Sequence, residues 1–116
     1  MQEAVRRGET WIAAWNSRDL ERILALYDDD AVMASEKIRM LGLDPSGTLH
    51  GKERLRAYWQ IGLARRPGLR FDLVAVSASP DSIVVRYRDE HGHEVDEYLR
   101  YAMDGLIVQG SANHPA

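Results

Sequence analysis

The sequence predicts a single α+β domain in which N-terminal helices pack against a mainly antiparallel sheet. Apolar residues recur at helical spacing in the first half of the chain. Four segments with strand-like alternation follow in the second half and are joined by short turn sequences. Helices followed by hairpin-linked strands are typical of α+β domains. The chain has 116 residues, which is long enough for one hydrophobic core, and we treat residues 1–116 as one domain.

The composition is that of an ordinary globular protein, with 45% hydrophobic and 28% charged residues. A formal net charge of -3 gives no electrostatic reason to expect nucleic acid or an anionic membrane as a partner. The chain has no cysteine, which excludes disulfides, thiolate metal sites and cysteine nucleophiles. The N-terminal segment lacks the apolar run of a signal peptide, and no stretch is long enough to span a membrane. We therefore expect a cytoplasmic location.

Three helices are predicted in the first half of the chain. The first covers residues 3–15, and the second covers residues 20–27, where apolar side chains follow the i, i+3, i+4, i+7 rule. The third covers residues 52–66 and ends at a proline. Its last residues, Arg65 and Arg66, are interpreted as surface charges that favour the C-terminal end of the helix dipole.

The segments between the second and third helices are predicted to be mostly irregular. The acidic run at residues 28–30 opposes the dipole at a helix C-terminus, so we interpret it as a solvated turn that ends the second helix. Residues 31–35 form a short strand candidate. Residues 36–51 contain a proline and several glycines, and these breakers predict a loop.

The second half is predicted to form four strands, at residues 69–78, 82–90, 94–103 and 106–113. Asp104 and Gly105 between the last two strands are the strongest hairpin signal in the sequence, and they predict a two-residue turn. In the third of these strands, Glu97 alternates onto the same side as Val95 and Leu99. A glutamate on an apolar face is unusual, because this residue is rarely buried without a partner.

The two-residue turn fixes which residues of the last two strands lie opposite each other. The turn predicts these facing pairs: Met103 with Leu106, Tyr101 with Val108, Leu99 with Gly110, Glu97 with Ala112, and Val95 with His114. In this register Ile107 lies on the opposite, outer face. Small residues facing Glu97 leave open space, as the floor of a pocket requires, and His114 lies diagonally across from the acid.

Two registers are possible between the strand that contains Glu97 and the preceding strand. A three-residue loop at residues 91–93 pairs Tyr87 with Glu97, whereas a two- or four-residue connection pairs Arg86 with Glu97. Shifting the register by one residue exchanges the faces. Apolar matching favours Tyr87, because that register keeps Val85 inside the domain.

Three segments, WIAAWNSRDLERILALYDDDAVM, LHGKERLRAYW and DEYLRYAMDGLIVQG, resemble the nuclear transport factor 2-like superfamily. This superfamily includes ketosteroid isomerase, limonene epoxide hydrolase, scytalone dehydratase and the SnoaL-like polyketide cyclases. The resemblance implies a cone-shaped α+β barrel, in which a curved sheet wraps over the helices and leaves an apolar pocket at the open end. It also implies a homodimer formed through the outer face of the sheet. The fold hosts several chemistries and does not by itself define an activity.

The resemblance also places candidate site residues. The tyrosine, the aspartate base and the protonated aspartate of ketosteroid isomerases match Trp11, Ser35 and Glu97, so only the last keeps its functional group. The resemblance further implies that Tyr58 and Tyr101 line the pocket. The full set of expected substrate-binding residues is Trp11, Ser35, Tyr58, Leu99, Tyr101, Val108, Gly110 and Ala112.

Our hypothesis is that Glu97, assisted by His114 and Tyr87, forms an acid/base cluster in an apolar pocket. Burial would favour a neutral carboxylic acid, which can assist enolisation, dehydration or ring closure without a cofactor. The expected partner is a small, largely apolar organic molecule, and no metal site is predicted. The alternative is a non-catalytic ligand-binding or protein-interaction module, which Ser35 at the position of the base favours. Epoxide hydrolysis would need an Asp–Arg–Asp cluster, but Asp96 and Arg100 face outward.

Overall fold

Over residues 2–115, the part of the chain that the computed structural model describes, the protein forms four helices and six strands. In chain order these are α1 (Gln2–Ser17), α2 (Leu20–Leu24), β1 (Tyr27–Ser35), α3 (Glu36–Met40), β2 (Thr48–His50), α4 (Lys52–Arg65), β3 (Asp72–Ala78), β4 (Ser82–Arg88), β5 (Glu94–Tyr101) and β6 (Ile107–Asn113). No helix in this part of the chain is long and apolar enough to cross a membrane.

The strands form one curved sheet in the order β2-β1-β6-β5-β4-β3. The β1–β6 pair is parallel and the other pairs are antiparallel. The sheet stays open, and α1 and α4 pack against it with their apolar sides. The predicted α+β class and the mainly antiparallel sheet are therefore confirmed.

The second predicted helix is wrong in its C-terminal half. Asp19 caps α2 by accepting a hydrogen bond from the Arg22 N–H (3.2 Å), but the helix ends at Leu24. Tyr27 instead begins β1, where it pairs with Ile107 of β6. Sheet pairing and full burial of the Tyr27 ring outweigh the local helical pattern. The acidic run at residues 28–30 is consequently part of β1 rather than a turn.

The predicted loop at residues 36–51 contains two short elements. The Ser35 hydroxyl caps α3 by accepting a hydrogen bond from the Lys37 N–H (3.2 Å). β2 then pairs antiparallel with β1, with Met33 opposite Leu49. A helix of five residues and a strand of three residues are too short to give a readable periodicity.

The predicted β5–β6 register is correct in the middle of the strands and wrong at the turn. Leu99 pairs with Gly110 and Glu97 with Ala112, as predicted. The connection has three residues rather than two, because the Ala102 N–H donates to the Leu106 carbonyl (2.9 Å).

A register shift between Arg100 and Tyr101 compensates for this extra turn residue. Tyr101 therefore pairs with Ile107 and not with Val108, and Ile107 is buried rather than on the outer face. Beyond the middle of the strands, β6 ends at Asn113, so His114 does not pair with Val95.

The β4–β5 register matches neither of the two predicted alternatives. Val85 pairs with Glu97, and Tyr87 pairs with Val95. The three-residue loop lies one position earlier than expected, because the Asp89 N–H donates to the His93 carbonyl (2.9 Å). This displacement shifts the register by two residues, which preserves the faces. Tyr87 is thus on the inner face as predicted, but diagonal to Glu97 rather than opposite it.

The outer face of the sheet is polar. It includes Arg86, the residue that the alternative register would pair with Glu97. Arg86 forms an ion pair with Asp96 (2.9 Å), and Arg88 forms one with Glu94 (3.1 Å). These pairs lie on the side opposite Glu97. The Arg86–Glu97 pair is therefore not formed.

Candidate functional site

A cavity of about 350 Å³ lies between the helices and the inner face of the sheet. Its wall is mostly apolar and includes all three tryptophans of the sequence, Trp11, Trp15 and Trp59. Trp11 and Trp15 are four residues apart on α1, so their rings lie on the same side of the helix. Trp59 comes from α4 and meets Trp15 edge-on, with ring centroids 5.2 Å apart.

Phe71 and Tyr87 extend the aromatic wall from the helices onto the sheet. The Phe71 ring stacks on Trp11 at 5.9 Å and on Tyr87 at 4.2 Å. Asn16 holds Phe71 in place, because its side-chain amide donates to the Phe71 carbonyl and accepts from the Phe71 N–H, both at 2.8 Å. The aromatic wall is therefore anchored, just before β3 begins, by two hydrogen bonds between the Asn16 side chain and the Phe71 backbone.

Glu97 is the buried acid of the cavity, with an exposed fraction of 3%. Within residues 2–115, no Lys, Arg or His nitrogen lies within 4.0 Å of its carboxyl oxygens. Burial raises its pKa from 4.5 to about 8, while the neighbouring Tyr87 hydroxyl and the positive charge of Lys37 act in the opposite direction. The carboxyl group is therefore mainly protonated at neutral pH.

Two buried phenols lie near this acid. The pKa of Tyr87 and that of Tyr27 are both raised, first by burial and then by the negative charge that Glu97 would carry when ionised. Both hydroxyls therefore stay protonated. Trp11 does not supply a free donor to the cavity, because its indole N–H donates to the Tyr27 hydroxyl (3.0 Å); only its ring contributes to the wall.

Several other predicted site residues also lie in the wall of the cavity. Ser35 is buried at the end of β1, and Tyr58 of α4 lies near it, where burial raises the pKa of the tyrosine. Ala112 lies on β6 opposite Glu97. His114 lies just beyond β6 at the edge of the cavity, where partial burial of its ring and the charge of Lys37 lower its pKa.

Four predicted substrate-binding residues do not line this cavity, namely Leu99, Tyr101, Val108 and Gly110. The expected open space at Gly110 is filled, since a Cβ atom placed there would lie 3.3 Å from the Met33 sulfur. The Tyr101 ring lies in a separate recess, where the Arg7 guanidinium sits 4.2 Å from its centroid. The strand β1, which was predicted only in part, thus narrows the floor of the pocket.

Three cations at the cavity were missed as site residues. Lys37 comes from α3, and Arg65 and Arg66 come from the C-terminal end of α4. The arginines fit a helix C-terminus so well that the sequence offered no reason to assign them another role. Lys37 lies in the segment predicted as a loop. No group of three or more His, Cys, Asp or Glu side chains within residues 2–115 is arranged to hold a metal ion.

Helices packed against an open, curved, mainly antiparallel sheet are the architecture of the nuclear transport factor 2-like class of α+β cones. Within this class the chain belongs to the SnoaL-like family, because residues 9–109 match the model of the SnoaL-like domain. Comparison with curated proteins gives no match.

Solved structures share this fold, and one of them is similar enough in sequence to support the family assignment as well. A SnoaL-like protein of unknown function from Burkholderia thailandensis is 35% identical, with 97% of this chain and 94% of that chain covered and a TM-score of 0.92. A candidate isomerase of the SnoaL-like family from Agrobacterium tumefaciens is 17% identical over the full length of both chains, with a TM-score of 0.77. TerC, co-crystallised with polyporic acid, is 19% identical over 97% of this chain and 89% of its own, with a TM-score of 0.76.

Proposed function

We propose that the chain binds a small, largely apolar organic molecule in the cavity and acts on it as a cofactor-independent isomerase, cyclase or dehydratase. The observation that carries this proposal is Glu97, a buried acid that has no ion-pair partner among residues 2–115 and lies in a mostly apolar cavity. A structural carboxylate is usually paired, whereas an acid left neutral in an apolar site is a useful proton donor. The similarity to a candidate isomerase of the family is compatible with this chemistry.

The chemical role of Glu97 follows from its protonation state. A neutral carboxylic acid can donate a hydrogen bond, or a proton, to a substrate carbonyl or hydroxyl oxygen as negative charge develops there. Tyr87 lies next to Glu97 and stays protonated, so its hydroxyl can stabilise the carboxylate that remains after proton transfer. Return of the proton from the substrate or from water restores the acid. His114 at the cavity edge is the remaining candidate for proton exchange with solvent.

The second candidate function is a ligand-binding module without catalysis. Ser35 favours it, because its hydroxyl accepts the Lys37 N–H at the start of α3 and cannot replace a carboxylate base. Both functions require the same ligand class, so binding and chemistry must be tested separately. Homodimer formation through the outer sheet face and a cytoplasmic location stay predictions.

Ligand binding can be tested through the tryptophan indole N–H resonances in an NMR titration. All three tryptophans line the cavity, so we expect a bicyclic aromatic probe such as 2-naphthalenemethanol to shift all of them at millimolar concentration. Turnover is then tested with ring-opened and carbonyl-containing analogues. Glu97→Gln should fold, retain binding and lose any turnover that wild type shows. Turnover that is unchanged in Glu97→Gln would exclude the catalytic role, and the absence of indole shifts would exclude the cavity as a ligand site.

A further inference from the structure

The cavity combines an apolar interior with positive charge at its edge. Lys37, Arg65 and Arg66 line it, although the whole chain carries a net charge of -3. Positive groups that gather at one mouth of an acidic protein form a local field that attracts anions. The strength of this field depends on whether carboxylates of the protein already neutralise these cations.

Arg66 is neutralised within the fold. Its guanidinium donates two hydrogen bonds to the Glu90 carboxylate, at 2.8 and 2.7 Å, and lies 3.8 Å from Asp89. This fork-shaped contact lowers the pKa of Glu90 to about 2. Arg66 is therefore a structural group that connects the end of α4 with the β4–β5 loop.

Lys37 and Arg65 are different, because neither has a carboxylate within 4.0 Å in the part of the chain described by the structure. The Lys37 residue is exposed overall, but partial burial of its ammonium group and the like charge of Arg66 lower its pKa. Lys37 has therefore lost some hydration and has no direct ion-pair partner within residues 2–115, although the charges of Asp89 and Glu90 partly oppose the lowering of its pKa. An anionic ligand group would supply the missing partner and compensate for the lost hydration.

Glu97 does not serve as this counter-ion. Its carboxyl group is mainly protonated at neutral pH, as described above, and it lies in the interior of the cavity. An anionic ligand group placed beside Glu97 would be desolvated and would disfavour ionisation of the acid. The same group placed at the edge would keep part of its hydration and face two cations. The orientation of a bound molecule is therefore set by charge, with the apolar body inside and the anion outside.

We infer that the ligand of this cavity is an apolar organic acid whose carboxylate, or equivalent anion, is bound at the edge by Lys37 and Arg65. This inference rests on the proposed function and specifies its substrate class. The reacting part of the molecule then lies near Glu97, opposite the anionic end.

The test compares two probes of the same shape, 2-naphthoate and the neutral 2-naphthalenemethanol, by calorimetry at neutral pH. We expect wild type to bind naphthoate about tenfold more tightly, as two charge-assisted contacts would allow. The double variant Lys37→Met, Arg65→Gln should lose this preference and bind the neutral probe as wild type does. Matched controls are Lys52→Met and Arg22→Gln, whose side chains lie outside the cavity wall; both should retain the preference.

Equal affinity of wild type for the two probes, or a preference that survives in the double variant, would overturn the anion site while leaving the apolar binding site intact. If neither probe binds at millimolar concentration, both this inference and the proposed ligand site are overturned. Raising the salt concentration adds an independent readout. The naphthoate affinity should fall toward that of the neutral probe, and a preference insensitive to salt would contradict recognition by the two edge cations.

Discussion

Because burial raises the pKa of Glu97, we expect this residue to make the protein less stable as pH rises. An ion-paired acid has the opposite effect. The pKa of Glu97 is 4.5 in the unfolded chain and about 8 in the fold. Between these values the folded state holds one proton more than the unfolded state, so the free energy of unfolding falls as pH rises. The stabilisation that comes from the protonated Glu97 side chain is fully present below about pH 4.5 and is lost above about pH 8.

The magnitude follows from the same two pKa values. A difference of about 3.5 in pKa corresponds to about 5 kcal/mol, because each pKa unit is equivalent to about 1.4 kcal/mol. This is comparable to the total stability of many small domains. Glu97→Gln replaces the protonated acid by a neutral group of the same size. We expect the variant to match wild type within about 1 kcal/mol at pH 5 and to be more stable by up to about 5 kcal/mol at pH 9.

Urea denaturation of both proteins at a series of pH values measures this difference directly. Contributions from other titrating groups, such as Glu90 and His114, are common to both proteins and cancel in the comparison. Glu94→Gln is the matched control, because Glu94 lies on the same strand but pairs with Arg88 on the outer face. A difference between wild type and Glu97→Gln that stays constant from pH 5 to pH 9 would show that the pKa of Glu97 is not raised in the fold.

Two further predictions concern the groups that shape the cavity. Glu90→Gln should lower the free energy of unfolding by about 1–3 kcal/mol at neutral pH, because it removes the negative charge and one of the two oxygens that accept hydrogen bonds from Arg66. The pKa of Glu90 is lowered to about 2, so its contribution is present above pH 4.5 and is lost as pH falls toward 2; an equal loss at acid and neutral pH would contradict this. Asn16→Ala should cost about 1–3 kcal/mol by leaving the Phe71 backbone groups unpaired. It should also shift the tryptophan indole resonances, and unchanged spectra would show that Asn16 does not anchor the wall.

The sequence was sufficient for the fold class and for the faces of β4 and β5, since these depend on periodicity, whereas the face of Ile107 at the start of β6 was wrong. Alternation along β5 placed Glu97 inside, and the pairs of Leu99 with Gly110 and of Glu97 with Ala112 were correct. These two pairs were correct partly because two differences cancelled. The turn is one residue longer than predicted, and a bulge near Val108 restores the predicted register. Periodicity determines which face of the sheet a residue lies on, but loop length and bulges determine which residue of the neighbouring strand it pairs with.

The site was harder to predict because it depends on elements with weak local signals. Tyr27 lies in β1 rather than in a helix, and Lys37 lies in a short helix rather than in a loop. Both depend on contacts between segments that are distant in the sequence, which local patterns do not report. Position Gly110 was expected to open onto the pocket, and only the path of β1 shows that Met33 fills that space. Arg65 also has a sufficient local explanation at the end of α4, so its place at the cavity could not be recognised from the sequence.

The protonation state of Glu97 can be measured as the pKa of its own side chain, by a carbon-13 NMR titration of the carboxyl resonances. The signal of Glu97 is identified as the one missing in Glu97→Gln. We predict a midpoint near pH 8 for Glu97. A midpoint at or below 4.5 would mean that the carboxyl is hydrated or paired, and a neutral acid in an apolar cavity would be contradicted.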